Sequence, residues 1–178
     1  MKRSTRPASA QSQWRLWGVL VACGALVAAA AGCVSDEPER RAIRSQPTDI
    51  APDTLWLGAK PFADSDSNGY LDTVDLTVYL FSDQYPEASL YVPGAFEFAL
   101  VTKDAKELAR WAFDSAAARE HAKRLAPGPC YLFSLSLLEK GSDEFDPQTA
   151  NLTAAFIPQA GKPVKAHETG MRVGKVGR

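Results

Sequence analysis

Between Asp64 and Asp75 the chain reads DSDSNGYLDTVD, which places side-chain oxygens at the first, third, fifth, ninth and twelfth positions: Asp64, Asp66, Asn68, Asp72 and Asp75. Oxygens at that density suit a hard divalent cation, which takes six to eight such ligands at about 2.3–2.6 Å. A short loop brings alternate side chains and one main-chain carbonyl onto a single ion only where a residue without Cβ turns the chain. Gly69 stands at that sixth place, and Tyr70 follows with the carbonyl. On this reading Asp64, Asp66, Asn68, the Tyr70 carbonyl, Asp72 through water and Asp75 hold a structural calcium ion that pins a loop against a strand. The metal-free alternative is a solvated Asn-Gly turn between strands.

These twelve residues resemble the calcium loops of EF-hands, and with Asp at the twelfth place they are closer to dockerin repeats and thrombospondin type 3 repeats. The resemblance covers the loop and not the fold. An EF-hand loop leads into a helix, whereas Val74 to Phe81 (VDLTVYLF) alternates and carries β-branched residues, so it reads as a strand.

A second chemically distinctive residue is Cys33. Lys2, Arg3, Arg6 and Arg15 precede a run without charge from Leu16 to Ser35, and no acid occurs before Asp36. A positive start, an apolar middle and a small-residue exit form the pattern of a secretory signal peptide. The end of the run, Ala30-Ala31-Gly32-Cys33, resembles the lipobox of bacterial lipoproteins. That resemblance implies cleavage before Cys33, a diacylglycerol thioether on its sulfur and acylation of its new amine. It further implies a domain held at a membrane outside the cytoplasm. Val34 and Ser35 leave no Asp at the second mature position, which in enterobacterial lipoproteins leans towards the outer membrane over the inner. The alternative is an uncleaved anchor helix, because about twenty apolar residues span a bilayer. Both readings leave the basic residues in the cytoplasm and the domain outside.

Removing residues 1–32 leaves 146 residues, enough for one domain with a core. With the four basic residues of the signal gone, Lys and Arg fall from 20 to 16 against 21 Asp and Glu, a net charge near −5. That balance argues against a nucleic-acid partner. With Cys33 lipidated, Cys130 has no partner for a disulfide and reads as a small buried hydrophobe.

The elements that must position the loop follow from periodicity. Residues 33–52, rich in charge, Pro and Ser, read as a disordered tether. Residues 53–160 read as the folded domain, beginning with a short strand at Thr54 to Gly58. Val74, Leu76, Val78 and Leu80 share one face of a strand, and Gln84 to Pro93 reads as a loop. Ala95 to Thr102 and Leu108 to Phe113 read as a hairpin. Asp114 to Leu125 reads as a capped helix that ends before Pro127-Gly128-Pro129 and bridges two sheets. Tyr131 to Leu138 reads as a central strand, Asp143 to Pro147 as an acidic turn, and Asn151 to Ile157 as the closing strand. Residues 161–178, with five basic residues and few large apolar ones, read as a flexible basic tail. The fold expected is mainly β: an antiparallel β-sandwich of immunoglobulin-like or transthyretin-like kind with one short crossover helix.

No GxSxG, HExxH, CxxC or Gly-rich phosphate loop occurs, and His121 and His167 fall on a helix and a tail, so no catalytic site is expected. The expected role is a lipid-anchored, non-catalytic cell-envelope domain that binds or scaffolds an envelope protein or glycan. The alternative is a carbohydrate- or peptide-binding module at the cell surface, with Tyr79, Tyr85 or Tyr91 forming an aromatic platform.

Overall fold

The computed structural model describes residues 45–176; the expected signal peptide, Cys33 and most of the tether lie outside the described residues. The described chain is mainly strand. In order it runs β1 (Thr54–Ala59), β2 (Tyr70–Leu71), β3 (Thr73–Ser82), β4 (Tyr85–Leu90), β5 (Gly94–Thr102) and β6 (Glu107–Phe113). Then come α1 (Ser115–Glu120), β7 (Ala122–Leu125), β8 (Gly128–Ser136), a 3-10 turn at Leu138–Lys140, β9 (Gln148–Pro158) and β10 (Val164–Lys175).

All pairings are antiparallel. One sheet has the order β1-β3-β8-β7, with β4 also on β3; the other has the order β2-β10-β9-β5-β6. They pack as the expected sandwich because each main strand alternates. Val74, Leu76, Val78 and Leu80 of β3 and Phe133 and Leu135 of β8 point inward from the first sheet. Phe96, Phe98 and Leu100 of β5 and Leu152, Ala154 and Phe156 of β9 meet them from the second. Aromatic rings interlock across the interface, with centroids 4.7 Å apart for Phe96–Tyr131 and 4.9 Å for Phe98–Phe133. Trp111 of β6 is 2 % exposed and satisfies its indole N–H across the sandwich on the Ser136 carbonyl, at 3.1 Å.

The hairpin β5–β6 forms as expected. The helix also begins as expected: Asp114 caps it by accepting from the Ala116 and Ala117 amides at 3.0 and 2.8 Å, and it carries the chain from one sheet to the other. It ends at Glu120, however, and not at Leu125. Residues Ala122–Leu125 pair with Tyr131–Gly128 as β7, because a two-residue connection, Ala126-Pro127, folds them back onto β8. The loop expected at 84–93 holds β4, whose Tyr85, Ser89 and Leu90 are buried.

The two flanks also differ from expectation. The basic tail at 161–178 is in large part β10, which burial of Val164, Met171 and Val173 holds against β9 from Gln148 to Phe156. The tether ends sooner than 52, since Ile50 and Pro52 are buried and the Gln46 amide exchanges two 2.8 Å hydrogen bonds with the Tyr91 backbone.

Candidate metal centre

The acidic loop joins β1 to β3 and is closed at its neck by main chain. Ala63 and Thr73 exchange hydrogen bonds of 2.8 and 3.0 Å, and the Asp72 amide donates to the Ala63 carbonyl at 2.9 Å. Inside that neck the backbone turns on itself. Ser67 and Gly69 take φ of 64° and 89°, the left-handed region, which costs Ser67 of the order of 1 kcal/mol and Gly69 almost nothing. The turn aims main-chain amides at the first aspartate: Asp64 accepts from the Asn68 amide at 3.1 Å and from the Gly69 amide at 2.8 Å. Asp66 accepts from the Asn68 amide at 3.2 Å, and the Asn68 side-chain oxygen accepts from Tyr70 at 2.8 Å.

Asp72 lies at the back of the loop with no solvent exposure. Its Oδ2 accepts from the Ser65 amide and the Ser65 hydroxyl, each at 3.0 Å, and its Oδ1 has no hydrogen-bond partner. Burial pushes this carboxyl up, but the hydrogen bonding around it, chiefly from Ser65, outweighs it and holds it below the usual 3.8. Asp72 is therefore a buried anion at neutral pH with one oxygen unsatisfied. Carboxylate oxygens of Asp64, Asp66 and Asp72 lie within 4.8 Å of one another. That spread matches a cation with oxygens on opposite sides at about 2.3–2.6 Å. Among the described residues the ion pairs are Lys60–Asp75, Arg110–Glu97 and Arg110–Glu107, so no basic side chain neutralises the cluster.

Of the residues singled out by spacing, Asp64, Asp66 and Asp72 come together and Asn68 sits beside them. Tyr70 lies in β2, paired with Lys175. Asp75 is a correction: it is not part of the cluster. It projects outward from β3, where Lys60 at 3.1 Å and Ser134 hold its carboxyl below the usual range. The cause is the exit from the loop. A helix would wind the twelfth residue back over the ion, whereas β3 advances about 3.3 Å per residue and carries it away. Asp143, a residue the loop spacing gave no reason to choose, lies beside the loop, outside the group formed by Asp64, Asp66 and Asp72. It is 3 % exposed, comes from the connection between β8 and β9, and accepts from Asn68 Nδ2 at 2.9 Å.

The aromatic platform is a second correction. Tyr79 and Tyr85 are buried, which leaves Tyr91, 36 % exposed and stacked on Tyr131 with centroids 6.0 Å apart, as the one of the three that reaches solvent. The most exposed ring is Trp56, 52 % exposed among the described residues, lying over Gly58 so closely that a Cβ there would sit 2.5 Å from the indole. No protein-family model matches this chain, and no curated protein is similar to it.

Proposed function

We propose that the chain is a lipid-anchored, non-catalytic domain of the cell envelope that binds or scaffolds a partner outside the cytoplasm. In this reading one calcium ion, held by the 64–72 loop, stabilises it. The observation that carries the calcium is Asp72, a buried anion with a free oxygen and two further carboxylates facing it. The anchor rests on the run from Leu16 to Cys33 and its small-residue exit. Among the described residues no helix is long and apolar enough to cross a membrane; the lipid on Cys33 is proposed from the small residues before that cysteine alone. Titration of the detergent-solubilised full-length protein with calcium chloride should give a dissociation constant of about 10⁻⁴–10⁻³ M, the range of extracellular modules. No heat of binding at several millimolar calcium removes the metal. Mass spectrometry of the native N-terminus tests the anchor, and a start at Met1 without lipid removes it.

A binding module is the second reading, and Trp56 is what favours it. The indole packs against Gly58 and Tyr79 and is half exposed, and an exposed aromatic ring is a surface that can stack on sugar rings. Glycans of the envelope are then the partners to screen, by quenching of tryptophan fluorescence that Trp56→Ala abolishes.

A further inference from the structure

We infer that Asp143, and not Asp75, supplies the outlying carboxylate of the calcium site, so that the ion fastens the β8–β9 connection and the end of β10 to the 64–72 loop. This rests on the calcium reading above and adds to it a ligand from 75 residues away.

Asp143 is buried, and its carboxylate accepts from the neutral Asn68 Nδ2 at 2.9 Å. The same amide donates to Asp66 Oδ2 at 3.2 Å, so carboxylates of the loop and of the connection converge on one group. Asp143 lies outside the group of Asp64, Asp66 and Asp72, yet shares one amide donor with Asp66; with no basic side chain paired to either among the described residues, the two carboxylates repel one another. A divalent cation reverses the sign of that interaction. Taking Asp143 into its shell leaves the Asn68 amide free to turn away or to stay on Asp66.

The main chain around Asp143 shows what would be fastened. The Leu137 amide donates to the Asp72 carbonyl at 2.8 Å, which ties the start of the connection to the loop. Phe145 accepts from the Lys175 amide at 3.0 Å, and Gly69 accepts from the Val176 amide at 2.8 Å, so the end of β10 closes the third side. Gly174 passes so near that a Cβ would lie 2.5 Å from the Phe145 carbonyl oxygen. Loop, connection and terminal strand thus meet at one junction that a cation locks.

The test is calorimetry with calcium chloride on the detergent-solubilised full-length protein and on Asp64→Ala, Asp75→Asn and Asp143→Asn, together with trypsin cleavage at the exposed Lys140 of the connection. Asp143→Asn should weaken calcium at least about tenfold, Asp75→Asn should leave it unchanged, and Asp64→Ala should abolish it. Calcium should also slow cleavage at Lys140 in the unsubstituted protein, and in Asp143→Asn it should not. If Asp143→Asn binds normally while Asp64→Ala does not, the inference is overturned and the calcium reading stands. Should the unsubstituted protein bind no calcium, both fall. The protection assay needs no substitution, so equal cleavage at Lys140 with and without calcium, in a protein that binds it, overturns the inference even where a variant misfolds.

Discussion

At the scale of single residues, Asp72 decides the behaviour of the loop because it is a charge kept away from water by its own hydrogen bonds. Its carboxyl is held below its ordinary 3.8 in the folded protein. A group depressed on folding contributes stability above its unfolded value and loses it as pH falls through the folded one. Thermal midpoints measured without calcium should therefore drop below about pH 4, and Asp72→Asn should flatten that acid limb. The same substitution removes calcium binding, because an amide in that position offers no charge to the ion. The Tyr131 hydroxyl is a second residue with a defined task. It donates to the Val92 carbonyl at 2.8 Å and accepts from the Val92 amide at 3.3 Å, and burial pushes its ionisation far up. Tyr131→Phe leaves both Val92 groups without this partner and should cost about 1–2 kcal/mol in urea denaturation. Asp64, Asp66, Asn68 and Asp72 were legible in the sequence because their positions depend on one local turn, signalled by Gly69. Asp143 was not, since nothing in a twelve-residue spacing points across 75 residues of chain, and Asp75 misled because its place presumes a helix that β3 replaces.

At the scale of elements, what the alternation revealed and what it hid have a common cause. Strands β3, β5, β8 and β9 keep one parity from end to end, so Val74 to Leu80 or Leu152 to Phe156 can be read as faces. Strand β10 does not. Its register slips between Glu168 and Met171, where Gly170 takes φ of +71°, and the slip brings Met171 and Val173 inward on the opposite parity from Val164. A tail with two short apolar stretches out of phase looks empty of pattern until the bulge reconciles them. Strand β7 was hidden differently: the alanines and Arg119 before it favour helix, while its pairing with β8 is decided by the tight Ala126-Pro127 connection. Gly174 tests the importance of β10. It sits at φ of +84° with carbonyl oxygens 2.5 and 2.6 Å from any added Cβ. Gly174→Ala should destabilise the domain by about 1–3 kcal/mol and raise trypsin sensitivity at Lys175, whereas Gly69→Ala, with open space around it, suffers from its φ alone.

At the scale of the whole folded domain, the two sheets are held by apolar and aromatic burial, with Cys130 free and buried. Among the described residues no disulfide closes the sandwich, so the open junction of loop, connection and β10 depends on what neutralises its carboxylates. A ligand that binds only the folded state adds RT ln(1 + [L]/Kd) to its stability. For a dissociation constant of about 10⁻⁴ M and about 1 mM calcium, that is roughly 1.4 kcal/mol. In a domain of this size the thermal midpoint should then rise by about 3–6 °C. At that affinity the increment is available only where calcium is near millimolar. Magnesium separates this specific clamp from general screening of charge. It demands near-octahedral geometry at about 2.0–2.1 Å and gives up water reluctantly, so an all-protein cage of carboxylates suits it less than it suits calcium. Differential scanning fluorimetry of the full-length protein should therefore show the rise with 1 mM calcium chloride and a much smaller one with equal magnesium chloride. Equal shifts with both would mean that the junction responds to charge density alone and holds no calcium-sized site.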